Sequence, residues 1–421
     1  MTTPRPAVLP ARPARFAALA VPNFRRYVSG QSLSLIGTWV ETVAQALLVL
    51  QLTHSGIILG LTTAARYAPV LLLSPYAGLL VDRHSKRRVL LATQTGLGLV
   101  SATLGVLVLT GNVRLWQVVV LAVLFGIFSA VDNPARQAFV QEMVGRDLVR
   151  DAVTLNTTTV NVARVIGPAI AAVLVGTVGI GWCFVVNAAS FGFVIVSLLS
   201  LNTRLLHPVP PVPRGRGQLR AGLRYAVGVP AIIRPLLMMA LVGTFTFEFE
   251  VSLPLLAETT FHGTAATYSW LIGALGAGAV LGGLYAARSA RIGVARLVRA
   301  AIGYAIAVGL VAVAPTLATA IAACVLVGVA SVMFLTTGNA TIQLASDPEY
   351  RGRVTALWSM ALVGSTPIGS PIIGALSDVA GPRYALGLGA AACLAAAVLG
   401  GWPGGAPRQN TPNHTPMQEE Q

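Results

Sequence analysis

Three carboxylates sit inside long apolar stretches of this chain: Glu41, Glu248 and Glu250. A charged side chain in such surroundings is costly unless it is paired or hydrated. A carboxyl there can gain and lose a proton near neutral pH, so the chemistry on offer is proton exchange and ion pairing. Arg66 and Arg164 are cations in the same kind of setting, and either could neutralise Glu41 or bind an anionic group. Around Glu41 run Gln31, Ser34, Thr38 and Gln45. Their steps of three and four place all five on one helical face. That stripe cannot face lipid. Its serine and threonine suit hydrogen bonds between helices, whereas Glu41 is expected to line an aqueous cavity. Thr154, Thr157, Asn161, Arg164 and Pro168 repeat the pattern further along. Glu248 and Glu250 are two residues apart, so on a helix they project about 200° from each other. One faces a cavity and the other does not; Glu248 is expected to face inward.

Other chemistries lack their residues. Lys86 is the sole lysine and stands in "RHSKRR" rather than in a phosphate-binding loop, so ATP hydrolysis by this chain is not expected. Five histidines are scattered without metal-ligand spacing. Cys183, Cys324 and Cys393 fall in apolar blocks with no pairing logic and read as buried structural thiols. No enzymatic activity, metal or cofactor is expected; a proton gradient would supply the energy.

The elements that must hold these residues are membrane helices. The chain has 421 residues, 55% of them hydrophobic and only 10% charged, with a mean hydropathy of +0.74. Its apolar blocks are long enough to cross a hydrocarbon core of about 30 Å. Twelve helices are predicted near 27–52, 56–81, 89–110, 115–137, 152–177, 180–201, 235–257, 266–288, 296–314, 317–342, 353–377 and 383–402. The net charge of +15 could indicate nucleic acid, but the basic residues are dispersed between apolar blocks, and no nucleic-acid partner is expected. About 25 of the 29 Lys and Arg fall on one side of this topology, which predicts cytoplasmic termini and a multi-pass protein of the cytoplasmic membrane.

Residues 202–234 divide the chain. A Pro, Gly and Arg-rich linker leads, from Gln218, into a basic amphipathic segment expected along the membrane face. The predicted organisation is an arm at 1–26, six helices within 27–201, the central loop, six helices within 235–402, and a tail at 403–421. "DNPARQAFVQ" at 132–141 aligns with "GNATIQLAS" at 338–346, matching Asn133 and Gln137 to Asn339 and Gln343. A repeat of this size is a signature of transporters built from related halves.

"GLLVDRHSKRRVLL" at 78–91 carries Gly78, Asp82, Arg83, Lys86, Arg87 and Arg88 between two apolar runs. With the six-plus-six repeat, it resembles the G-x-x-x-D-R-x-G-R-R signature of the major facilitator superfamily, with Ser85 in place of one glycine. "GQSLSLIGTWVETVAQALLVLQLTHSG", "DNPARQAFVQEMV" and "STPIGSPIIGALSD" extend the resemblance to the branch containing the enterobactin exporter and macrolide efflux proteins. "ARVIGPAIAAVL" is similar to the antiporter motif of exporters, with Gly167 and Pro168 kept and Ala171-Ala172 replacing a glycine pair. The fourth helix lacks the arginine that exporters often carry there.

The resemblance implies an all-helical fold of two six-helix bundles around a central cavity. It implies proton-coupled efflux of a drug or siderophore-like amphipathic molecule by alternating access. An importer or facilitator of the same fold, or a lipid flippase, are the alternatives. In the family the signature loop latches the cytoplasmic side shut, here through Asp82, with Asp132 and Arg136 as local partners. The expected cavity residues are Gln31, Ser34, Thr38, Gln45, Arg66, Thr157, Asn161, Arg164, Asn339 and Gln343. Expected partners are the small-molecule substrate, protons and lipids, and the expected state is a monomer.

Overall fold

The computed structural model describes residues 17–207, 218–287 and 292–401. The predicted arm at 1–26 is thus described only from Ala17, and the tail at 403–421 lies outside the described residues. Among the described residues the regular structure is all helical, and twelve segments are long and apolar enough to cross a membrane. The first half holds α1 (Pro22–Thr53), α2 (Gly56–Arg83), α3 (Lys86–Leu109), α4 (Leu115–Thr177) and α5 (Ile180–Leu199). A surface helix α6 (Gln218–Gly228) precedes the second half. That half holds α7 (Pro230–Phe245), α8 (Phe249–Leu255), α9 (Ala265–Ala287), α10 (Val294–Ala312), α11 (Leu317–Ala345), α12 (Arg351–Val363), α13 (Thr366–Ala380) and α14 (Pro382–Gly401).

Short turns force neighbouring spans to run antiparallel, so alternate turns share a face of the molecule. One face gathers Arg83, Lys86, Arg87, Arg88, Arg296, Arg299, Arg351 and Arg353 and is called the basic face below. The opposite face carries the turns at 54–55, 110–114, 178–179, 261–264, 313–316 and 381.

Four spans depart from the predicted helices. The segment 138–151, expected as a loop, is helical on either side of a kink at Gly145, where the helices of the fourth and fifth spans meet directly; the two together are labelled α4. Ala135, Phe139 and Met143 recur every four residues and bury with Tyr27, Leu90 and Leu198. That apolar stripe carries the helix past the fourth span. It turns only at Gly145, whose φ of 69° is a left-handed value that glycine adopts without strain.

The seventh span is broken between α7 and α8 and closes in a turn of π-helix, Leu256–Thr260. Within α8, Pro254 has no N–H to give the carbonyl of Glu250. The eleventh span breaks between α12 and α13, where Pro367 cannot donate to the carbonyl of Val363. Discontinuous helices of this kind hold the binding sites in many transporters.

The helices before α6 pack as one bundle, and those after it as another. Between the bundles, α2 lies along α13, and the later part of α4 lies along α9.

Candidate functional site

Where the bundles meet, α1 contributes Thr42 and Gln45, α2 contributes Thr63 and Arg66, and α8 contributes Glu250 to one small pocket. Its free space is about 20 Å³, room for about one water molecule. The Arg66 guanidinium donates to Gln45 Oε1 at 2.5 Å and lies 4.0 Å from the centre of the Phe125 ring. Glu250 Oε1 accepts from the Tyr67 hydroxyl at 3.1 Å across the bundle boundary. Arg164, on the later part of α4, stacks 5.0 Å from the Trp39 ring centre and lies in electrostatic reach of Glu250 and Tyr67. Two guanidiniums, one carboxylate and one phenol thus converge from three spans, the second, fifth and seventh. Such a cluster can bind a polar group and exchange a proton for it.

Glu248, expected to face inward, does not line this pocket. Its carboxylate accepts from Ser370 Oγ on α13, inside the second bundle, and only 3% of the residue is exposed. The two glutamates do diverge, but Glu250 is the one that faces the pocket. Glu248 sits at the break, as the residue before α8, with φ −83° and ψ 43°.

Glu41 also lies off the pocket. It accepts from Ser101 Oγ at 2.5 Å and from Asn187 Nδ2 at 2.6 Å, tying α1 to α3 and α5. The predicted stripe is buried at Gln31, Ser34, Glu41 and Gln45 and half-buried at Thr38. Most of it turns toward α5 in the same bundle: a side chain at Gly37 would fall 2.5 Å from Ser190 Oγ and 2.6 Å from Asn187 Oδ1. In this structure the face that Glu41 occupies is filled by neighbouring helices. Only Gln45, one turn on, reaches the pocket. Neither Arg66 nor Arg164 is bonded to Glu41 among the described contacts.

Of the remaining cavity residues, Thr157 is exposed and Asn161 half-buried on the same helix as Arg164. Gln343 donates to Asn339 Oδ1 at 3.0 Å, a pair within α11 and apart from the central cluster. Gly167, in the antiporter-like motif, meets α1: a Cβ there would lie 2.4 Å from Trp39 Cβ. Pro168 is buried beside it. The motif therefore brings the fifth span against the ring on which Arg164 rests.

The opposite face is sealed by a residue that the sequence reading overlooked. Asp378, near the end of α13, accepts from Ser55 Oγ at 2.9 Å, Gly56 N at 2.6 Å and Ile57 N at 3.0 Å. It caps the N-terminus of a helix in the other bundle, where the unpaired N–H groups and the helix dipole favour a carboxylate. Below it the backbones touch: a Cβ on Gly374 would fall 2.1 Å from the Gly56 carbonyl, and one on Gly60 would fall 2.2 Å from that of Ser370. His54 and Glu258 add a second cross-bundle contact at 3.4 Å. Nearer the basic face, α2 exposes Leu72, Tyr76, Leu79 and Leu80.

On the basic face Lys86 and Arg87 of the signature loop make contacts within the first bundle. Lys86 pairs with Glu142 at 3.2 Å, both largely buried. Arg87 donates to the Leu198 carbonyl at 2.8 Å and the Leu199 carbonyl at 3.2 Å, closing the end of α5. Gly78 is buried, Asp82 half-buried and Arg83 exposed. Asp132 is fully buried and accepts from Thr93 and Gln94, each at 2.8 Å, and from Arg136. Glu142, Thr93 and Gln94 were not singled out in the sequence; Glu142 meets Lys86 because the fourth helix runs past residue 137 to Gly145.

The chain matches the family model described as transmembrane secretion effector over residues 13–411. It is 26% identical over 368 residues to the enterobactin exporter EntS of Shigella boydii serotype 4 (strain Sb227), covering 86% of each chain. It is 27% identical over 366 residues to the exporter of the same name from Salmonella typhimurium (strain LT2), covering 86% of this chain and 87% of that one. Among solved structures it resembles a bacterial homologue of the human lysosomal transporter Spinster in an inward-facing, unoccupied conformation. The TM-score is 0.67 at 15% identity, with 90% of this chain and 94% of the other covered. The nucleoside transporter NupG gives a TM-score of 0.68 at 13% identity, over 90% and 97% of the two chains. At these identities the structures show the fold alone: that of a major facilitator transporter.

Proposed function

This chain belongs to the transmembrane secretion effector family of the major facilitator superfamily, and from that premise we propose that it is a proton-coupled exporter of an amphipathic small molecule. It is a multi-pass membrane transporter, not an enzyme. The observation that carries the proposal is Glu250, an acid in a small pocket between the bundles, with its partner Tyr67 in the other bundle. Proton and substrate compete there. The ionised carboxylate accepts hydrogen bonds from donor groups of the substrate, and a proton removes that acceptor and releases it. Because Glu250 and Tyr67 belong to different bundles, the exchange is coupled to how the bundles sit against each other.

The basic face lies in the cytoplasm, as its arginines favour. With the opposite face closed through Asp378, α2 and α13, the substrate enters from the cytoplasm. The bundles then rock about the pocket to release it on the other side. The substrate class is that of the relatives, a catecholate siderophore or a drug of similar amphipathic character. Arg66 and Arg164, each resting on an aromatic ring, contact its polar groups. A test is uptake into inside-out vesicles energised with an interior-acid gradient, with enterobactin as the probe. Accumulation that collapses with the gradient supports export by proton exchange. Accumulation only in right-side-out vesicles overturns it in favour of import.

A further inference from the structure

Away from the central pocket, α10 borders a groove of about 480 Å³ shared with the end of α9 and the middle of α11. Its mouth at the basic face holds Arg296 and Arg299, with Tyr285 across from them. From there the lining turns apolar through Gly303, Ile306 and Leu310 on α10 and Met333 on α11. From Arg296 to Leu310 the groove follows α10 for about 21 Å, at about 1.5 Å per residue. One leaflet of the hydrocarbon core is about 15 Å deep, so a whole acyl chain fits along it. Gly303 keeps the floor open: nothing lies within 4 Å of a Cβ added there.

The two arginines lack an acidic partner among the described residues; Arg299 spends only its Nε, on the Ala295 carbonyl at 3.4 Å. Two cations one helical turn apart, at the interface end of an apolar trough, match one chemistry. We propose that the groove is a binding site for an anionic phospholipid, its phosphate on Arg296 and Arg299 and one acyl chain along Gly303 and Ile306. Basic pockets between helices at the cytoplasmic face suit such headgroups, and arginine binds phosphate through paired N–H groups.

Native mass spectrometry of the purified protein, with phosphatidylglycerol and phosphatidylethanolamine added in turn, tests this. The wild type should retain phosphatidylglycerol preferentially. Arg296→Gln with Arg299→Gln should reduce that preference by about tenfold or more. Gly303→Trp should expel the acyl chain and lose retention while leaving the lipid-free melting temperature unchanged. Equal retention of both lipids by the wild type would overturn the proposal, as would an undiminished preference in either variant. Stabilisation by inorganic phosphate equal to that by the lipid would do the same, since it would show an anion site with no role for the chain.

Discussion

The division of roles among the buried carboxylates follows from what each one touches. Glu41 accepts two strong hydrogen bonds from side chains of its own bundle, so its place is in holding α1 to α3 and α5. Glu41→Gln should lower stability by about 1–3 kcal/mol, seen as a reduced melting temperature, and leave the response of transport to a pH gradient intact. Asp132 has a similar structural role at higher stakes: fully buried, it compensates Arg136. Asp132→Ala should cost about 3–5 kcal/mol because it strands that guanidinium, and thermal unfolding would show it. The polar stripe around Glu41 was legible in the sequence, since its period is that of a helix. What it faces was not, because which neighbour fills a helical face depends on residues such as Ser101 and Asn187, 60 and 146 positions away. Glu248 and Glu250 were legible as an alternating pair, and only the course of the broken seventh span decides which looks inward.

At the level of elements, the two broken spans and the glycine-lined crossing of α2 with α13 determine where the bundles can part. Asp378 is the clearest case: a carboxylate on α13 closes the N-terminus of α2 from 322 residues away. No local pattern marks it, since an aspartate near a helix end reads as an ordinary surface residue. Asp378→Asn should weaken the cap by about 0.5–2 kcal/mol and shift the population toward states open at the opposite face. Spin labels on the ends of α2 and α13 would then report a longer distance; an unchanged distribution would mean that the glycine-lined crossing alone holds the seal. The twelve spans were readable from block length and hydropathy. The helical course of 138–151 on both sides of Gly145 was not, because that amphipathic stretch looks like a polar loop until its apolar side is seen against Tyr27 and Leu198.

For the whole molecule, the bundles meet along α2 with α13 and along α4 with α9, around a pocket that belongs to neither bundle alone. A transporter needs that arrangement if proton and substrate are to bias the same rocking motion. The sequence carried the repeat, the topology and the family resemblance. The central cluster of Glu250, Tyr67, Arg66 and Arg164 arises only when the two bundles are brought face to face. Its role rests most directly on one measurement: transport in proteoliposomes of wild type and Glu250→Gln under imposed pH gradients of either sign. The wild type should be driven by the gradient, and Glu250→Gln should retain gradient-independent exchange of substrate while losing that drive. A Glu250→Gln protein that still concentrates substrate in response to the gradient would contradict the assignment of coupling to this carboxylate.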